Sequence, residues 1–539
     1  MTEIISTNPM EDSVNGQHHQ PIESHYKRDA HAQSSLSRGD SVGEHERKPL
    51  VGNNSHENRP RGDVPNRLEG ETVHGDTLEK YPFLLLNILL SLNSGASRIY
   101  ISLIDQYLYQ RFANDVLGNY SENTAKKPCV NETNQSDSTL QIQDMTSQFS
   151  LYISISDYAL SVVPCLLLGA YSALIRRKTL LLIPTLATAI KSLDIAAVVY
   201  WNLDVQWLYL GYTVEGLGGG TSGILLGIFL YMSDITSRGR KRTFVMTFME
   251  GLKGFISGIL YYGTGQLIES TGFIVPTLMA AGCMLLSVCL ILLLPERKSK
   301  QVSHVREEMA DWSLGACYKR LTLPFGKTQH PMVKKMVILA LVAFLILLCS
   351  LFGQSKIRNL YLMNSPFCWD AVTIGWFLSA QDIAYNLFTM LAVPLFYTCL
   401  PGMGLAIVGL VSCMAGTTMY ALADTSLEIY LIIGLSIANN VAFGLIRGET
   451  SRLLDVESQG SLFATVAMFE SLSFLCGTPA LLLYSATVGW YSGFSFFLMD
   501  ALLIIALVLL CIYQSIWVRY TREVQSKELL VEKYGSINS

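Results

Sequence analysis

Apolar residues in this chain fall in blocks separated by short polar runs. Twelve such blocks lie near 83–106, 152–172, 179–200, 206–231, 244–266, 273–294, 336–354, 373–396, 403–422, 428–448, 461–484 and 491–516. Each is close to the ~20 residues that a helix needs to cross a hydrocarbon core of ~30 Å. The first, fourth and tenth carry polar residues and stand out least. Only helices and closed barrels satisfy their backbone polar groups in lipid. The pattern therefore predicts an all-α membrane protein with twelve transmembrane helices. Residues 1–78 are polar and lack apolar periodicity, which predicts a disordered tail. No cleavable signal peptide is expected, since the first apolar block begins past Lys80. The remaining chain divides into a six-helix bundle at 79–296, a charged central loop at 297–335, a second six-helix bundle at 336–518 and a tail at 519–539.

Charge placement orients these spans. The chain of 539 residues is 50% hydrophobic and 15% charged, too apolar for an ordinary soluble protein. Its basic clusters are Arg176 to Lys178, Arg238 to Arg242, Arg297 to Lys300, Lys334-Lys335 and Arg519 to Arg522. With twelve spans all of them fall on one side, together with both termini, and the excess of Lys and Arg makes that side cytoplasmic. The loop between the first two spans then lies on the opposite side. It carries sequons at Asn119, Asn131 and Asn134, the candidate glycosylation sites. Of eleven cysteines, only Cys129 and Cys368 fall on that oxidising side. They are expected to form a disulfide between the two halves; the alternative is two free thiols. The Arg61-Gly62-Asp63 triplet lies in the cytoplasmic tail, where an integrin motif has no use.

Ionisable residues inside apolar spans are costly, so each demands a reason. No histidine lies in a span, since seven of the nine are in the tail and His304 and His330 are in the central loop. Carboxylates must therefore carry any proton coupling. Burial favours the neutral acid and a nearby cation favours the carboxylate, so a carboxyl beside a lysine can be switched between the two. Glu250 in the fifth span has Lys253 on the same helical face; the bland reading is a self-neutralising pair. Lys191 and Asp194 in the third span are three residues apart and read as a structural pair, and Asp500 in the twelfth reads the same way. Arg98, Glu215, Asp382 and Glu470 lie in the first, fourth, eighth and eleventh spans, which face the cavity in such bundles. Glu215 is either a proton site or an ion-pair partner. Arg447, at the inner end of the tenth span, has the planar fork that suits a carboxylate; otherwise it marks the membrane boundary with Glu449 and Arg452. Tyr212, Tyr361, Trp376 and Tyr385 are candidates for stacking on a ring system. No metal-ligand spacing, P-loop or nucleophile motif occurs, so no metal, cofactor or enzyme activity is expected, and a gradient rather than ATP would drive transport.

Six spans, a basic loop and six more spans is the layout of a major-facilitator transporter. Several segments resemble the solute carrier 46 family, which includes the proton-coupled folate transporter. These are Leu360 to Asp370, Ile446-Arg447 with Ser451-Arg452-Leu453 and Gln459 to Phe463, Ser233-Asp234-Ile235 with Arg242-Thr243-Phe244 and Glu250, Gln106 to Phe112, and Gly169 to Ser172. The resemblance covers nearly all of 80–515. It implies alternating access and co-transport of an organic anion with protons. It also implies the Cys129–Cys368 bridge, a coupling role for Glu250, a substrate or coupling role for Arg447, and a gating loop built on Arg177, Asp234 and Arg242. The chain departs from the family pattern at the gating loop, where Ala173 replaces an Asp and Arg176 a Gly. It departs again at Gly220 and Leu351, where folate carriers have Asp and His. Strict folate specificity is therefore not expected.

The sequence thus predicts a proton-coupled symporter moving an organic anion toward the cytoplasm, with a folate-like compound, a muropeptide or a conjugated metabolite as substrate. Glu250 and Glu215 would carry protons. Arg447, Lys253, Asp382, Glu470, Tyr212 and Trp376 would contact substrate or couple its movement. Small anions, protons, the lipid bilayer and endosomal sorting adaptors are the expected partners, and nucleic acid is not. The rival reading is a non-transporting receptor or scaffold signalling through residues 1–78, favoured by the missing Asp of the gating loop. Plasma membrane and endolysosome both fit. Tyr534-Gly535-Ser536-Ile537 has the tyrosine-x-x-apolar form of a sorting signal, and Glu46 to Val51 is a weaker acidic-dileucine match. Tyr534→Ala should move a tagged protein out of endolysosomes by microscopy; an unchanged distribution removes the sorting argument.

Overall fold

The computed structural model of the protein describes residues 80–117, 137–237, 239–296, 314–322, 330–397, 399–400 and 402–535. The expected tail at 1–78, the three sequons and Cys129 lie outside the described residues. In chain order the helices of the first half are α1 (Lys80–Leu117), α2 (Asp137–Ser154), α3 (Leu160–Ala170), α4 (Arg177–Trp201), α5 (Leu208–Gly218), α6 (Gly220–Ile235), α7 (Arg240–Thr271) and α8 (Ile274–Leu293). A short helix α9 (Leu314–Leu321) follows, then α10 (Pro331–Met363), α11 (Ala371–Phe396), α12 (Gly402–Leu422), α13 (Ser426–Leu435), α14 (Val441–Leu453), α15 (Gln459–Leu475), α16 (Gly477–Thr487) and α17 (Phe494–Gly535). Ten helical segments among the described residues are long and apolar enough to cross a membrane.

Three expected boundaries move. The second span begins at Asp137, well before residue 152, and joins α2 to α3 through a π-helical turn, Ile155–Ala159. The seventh span starts inside the expected central loop, at Pro331, and continues past 354 to Met363. His330 caps it by accepting from the Met332 amide, with Pro331 at the first helical position, where its missing N–H costs nothing. The polar faces of these helix ends interrupt hydropathy without interrupting the helix. The last helix also runs on through the expected 519–539 tail to Gly535, supported by an i,i+4 pair between Glu523 and Lys527 at 2.9 Å.

Two expected spans are broken. The fourth stops at Gly218 and restarts at Gly220, because Gly219 and Gly220 adopt φ of 97° and 56°, a left-handed region that a side chain resists. The tenth breaks between α13 and α14. There Ser412 of α12 donates to the Leu435 carbonyl and accepts from the Ala438 amide, satisfying freed backbone groups.

The buried apolar residues form one core within 85–294, which also takes in Phe463, Ala464 and Ala467 of α15, and two more within 333–513. The halves meet along small-residue seams, which let helix backbones approach in the absence of a hydrophobic drive. Gly251, Gly254 and Gly258 of α7 leave room for Met390, Asn386 and Ile383 of α11. Gly444 and Gly448 of α14 receive Thr247 and Thr243 of α7, and Gly169 of α3 lies on Gly460 and Ala464 of α15. The last two seams lie near the end that carries the basic runs, hereafter the basic end. At the same end α9 packs on α3 and α15, with Arg320 4.6 Å above the Tyr171 ring. Toward the end that carries Cys368, Asp105 and Gln106 of α1 and Ser355, Lys356 and Asn359 of α10 remain exposed. The halves are closed at the basic end.

A Cβ on Gly448 would sit 2.8 Å from the Thr243 Cα, and one on Gly444 2.6 Å from the Thr247 Cα. Gly448→Leu should therefore part α14 from α7. A cysteine at Thr247 should then react about tenfold faster with a thiol reagent applied from the basic side, a shift of ~1.4 kcal/mol in the opening equilibrium. An unchanged rate would mean that this seam does not close the path.

Candidate functional site

The chain's costliest side chains are gathered at the junction of the halves. Arg447 of α14, 2% exposed, pairs through Nη1 with Glu250 of α7 and through Nη2 with Glu470 of α15. Lys253 Nζ lies 2.5 Å from the other Glu250 oxygen. Two carboxylates and two cations thus form a neutral cluster. Glu250 and Lys253 come from the first half, and Arg447 and Glu470 from the second. The guanidinium also lies 4.3 Å from the Phe229 ring centre of α6 and 5.8 Å from that of Phe344 of α10, so aromatic faces rather than water cover it. Arg447 Nε finds no acceptor among the described residues.

This placement corrects one reading. Arg447 does not join Glu449 and Arg452 at a membrane boundary. Those two pair with each other at 3.6 Å, and Glu449 accepts from Thr243 and Tyr397. The helical repeat explains the split: α14 turns residue 447 toward Glu250 and Glu470, while residue 449 meets Thr243, Tyr397 and Gly402.

Lys191 is also reassigned. Its partner is Glu215 of α5, not Asp194, whose Oδ2 instead accepts the Gly211 amide at 3.2 Å. The three-residue spacing favoured a local pair, but the buried ammonium turns into the bundle, where Glu215 is fully enclosed. Tyr212 contributes its ring to this ammonium at 4.9 Å rather than to the cavity. Asp382 lies 3.6 Å from Arg98, across the halves. Asp500 accepts from Thr418 within the second half. Trp376 is exposed and packs on Tyr262, with ring centres 4.2 Å apart, near the Cys368 end. Tyr361 is core, donating to the Tyr420 carbonyl at 2.6 Å, and Tyr385 bonds to Gln381 and Ser436.

The expected gating residues come together at the basic end. Arg177 Nε donates to Asp234 Oδ2 at 2.6 Å and its Nη1 to the Ser172 carbonyl at 2.7 Å. Arg242 Nη2 donates to the carbonyls of Ser233 and Thr236 at 2.9 and 3.1 Å. All three side chains are buried. Cys368 is disulfide-bonded; Cys129, its expected partner, lies outside the described residues.

Several ionisable residues escaped the sequence reading, Asp105 of the first span among them. Asp157 sits in the π-helical turn of the second span. Lys356 and Arg358 were missed because the seventh span was ended at 354. Charge spaced along an unbroken helical pattern up to Asn364 would have found them. Arg358 donates to Gln381 at 2.7 Å, keeps Nε unpartnered and has no carboxylate within 4 Å among the described residues. It lines a polar cavity with Gln354, Gln381, Tyr385, Tyr420 and Asn439. Among the described residues no cluster of His, Cys, Asp and Glu is disposed to hold a metal ion.

Paired half-bundles, broken spans and a charged cluster at their junction define a multi-pass helical membrane protein of the major facilitator fold. The human organic anion transporter MFSD10 superposes with a TM-score of 0.58 at 11% identity, covering 80% of this chain and 100% of that one. The major facilitator FucP in its outward conformation gives 0.57 at 13%, covering 80% and 98%. In sequence, the chain resembles the solute carrier 46 family over most of its length. It is 27% identical over 429 residues to the lysosomal proton-coupled steroid conjugate and bile acid symporter SLC46A3 of Rattus norvegicus, 78% of this chain and 92% of that one. It is 26% identical over 416 residues to the proton-coupled folate transporter of Bos taurus, covering 76% and 87%. No protein-family model matches the chain. These relatives are transporters and not enzymes.

Removing one member of a buried ion cluster leaves an uncompensated charge, which costs ~3–5 kcal/mol. Arg447→Met should therefore lower the melting temperature of the purified protein sharply, and Glu250→Gln in the same chain should restore part of the loss. Additive losses would mean that the two side chains do not interact.

Proposed function

We propose that this protein is a proton-coupled symporter of an organic anion, working toward the cytoplasm. It has twelve spans, both termini cytoplasmic, and Cys129 as the partner of Cys368. The observation that carries the reading is the placement of Arg447. It is held in the second half by Glu470 and bound across the junction by Glu250. A proton taken up by Glu250 discharges its side of that cross-half pair, and Arg447 then remains with Glu470. The basic end is free to part once α7 no longer holds α14. Lys253, the second cation on Glu250, keeps it ionised until a proton arrives from the open side. Arg177, Asp234 and Arg242 close the gating loop despite Ala173, which supports transport over a purely receptor role.

An anionic cargo fits the charge on the open side of the cluster. Arg98, Lys356 and Arg358 lie there, with Asp382 paired to Arg98 at 3.6 Å, and Arg358 has hydrogen-bonding neighbours but no carboxylate within 4 Å among the described residues. A carboxylate or sulfate would supply a counter-ion. The names of the relatives, a steroid conjugate and bile acid symporter and a folate transporter, agree with a bulky organic acid. Cellular address follows the same relatives, with an acidic lysosomal lumen or an acidic cell exterior supplying the protons.

Reconstituted protein should take up a cargo found by screening organic acids, faster with the cargo side acidic than with no pH gradient. Glu250→Gln should remove gradient-driven accumulation, a drop of at least tenfold, yet keep cargo exchange. Normal accumulation by that variant, or uptake indifferent to the gradient, would refute the coupling.

A further inference from the structure

We propose that Asp157 and Glu215 form a second proton-binding site, holding one proton between them beside Lys191 inside the first half. Glu215 is fully buried. Its Oε2 pairs with Lys191 and its Oε1 accepts from Thr188 at 3.0 Å. Asp157, 5% exposed, points into the same space from the π-helical turn, and its Oδ1 receives no hydrogen bond. The two carboxyl side chains converge on the same glycine, Gly220. Gly220 makes room for them: a Cβ there would lie 3.2 Å from Asp157 Oδ1 and 3.8 Å from Glu215 Cγ.

Charge counting selects the proton. Two carboxylates and one ammonium leave an excess negative charge in a space closed to water, where an uncompensated charge is costly. Among the described residues, the other titratable or polar groups around the site supply no second cation. They are Tyr100 and Asp105 from α1, Thr188 and Ser192 from α4, Tyr212 from α5, and Tyr158 beside Asp157. From the second half, Ser471 accepts from Ser161, and Phe474 stacks on Tyr158 with ring centres 4.3 Å apart. One proton shared by two adjoining carboxyl groups restores neutrality, because like charges at contact cannot both persist. The ammonium sits against the Tyr100 and Tyr212 rings, where a metal ion would have to displace it. The turn bearing Asp157 also packs against α15, so loss of this proton is felt at the junction of the halves.

The site extends the coupling reading, but its test needs no transport. In infrared spectra of the full-length protein in lipid nanodiscs at neutral pH, Asp157→Asn should remove one carboxylic-acid equivalent. The lost band should be one that shifts in heavy water. Glu215→Gln should remove the same single equivalent, since either change leaves one carboxylate for Lys191. Loss of ionised-carboxylate absorbance alone in Asp157→Asn would overturn the proposal, as would a band that depends on sodium. If either variant does not fold, carbon-13 NMR of the unsubstituted protein decides. It should show an Asp–Glu carboxyl contact with one protonated member; two ionised members would overturn it.

Discussion

The structure depends on how Arg447 is compensated. A guanidinium cannot shed its charge at any accessible pH, so burial at the junction of two helical bundles obliges each bundle to supply an anion. Glu470 does so from its own half and Glu250 from the other. The consequence is an ion pair that joins the two halves, and in the coupling proposed above one proton on Glu250 releases it. Lys253 makes the release conditional, because it stabilises the ionised form of Glu250 without crossing the junction.

The rest of the packing serves that bond. Glycines at 444 and 448 bring α14 against α7 closely enough for Arg447 to reach Glu250, and the seam at Gly169 and Gly460 closes the neighbouring pair of helices. The fourth span contributes differently. Its break at Gly219 and Gly220 leaves space in which Asp157, Glu215 and Lys191 share an enclosed pocket within one half. Two carboxyl-bearing clusters thus lie close together, one spanning the junction of the halves and one beside it. The first joins the halves through Arg447 and Glu250, and the second touches the same junction through Tyr158 and Ser161.

Much of this was legible in the chain, for physical reasons that differ by element. Spans announce themselves because lipid permits little else, and Glu250 stood out because a carboxylate in an apolar helix is rare. Which partner each charge would choose was less legible. Lys191 has an acidic residue three positions on and another 24 positions away at Glu215, and local spacing favoured the wrong one. Arg447 and Glu470 were both singled out, yet nothing in their separation says that they meet on Glu250. Asp157 was visible as an acid inside the second apolar block and was passed over, whereas Arg358 was hidden by a span that outlasts its apolar stretch. Local pattern reports the environment of a residue; the partner is set by how helices far apart in sequence cross.

The most direct test follows the halves themselves. Spin labels at Thr179 of α4 and Lys335 of α10, both exposed at the basic end, report their separation by double electron–electron resonance in lipid nanodiscs. With Arg447 locked to ionised Glu250, a single short distance is expected at neutral pH, and a longer one should grow in as the sample is acidified. Glu250→Gln should show the longer distance already at neutral pH. A separation that ignores both acid and this substitution would contradict the account.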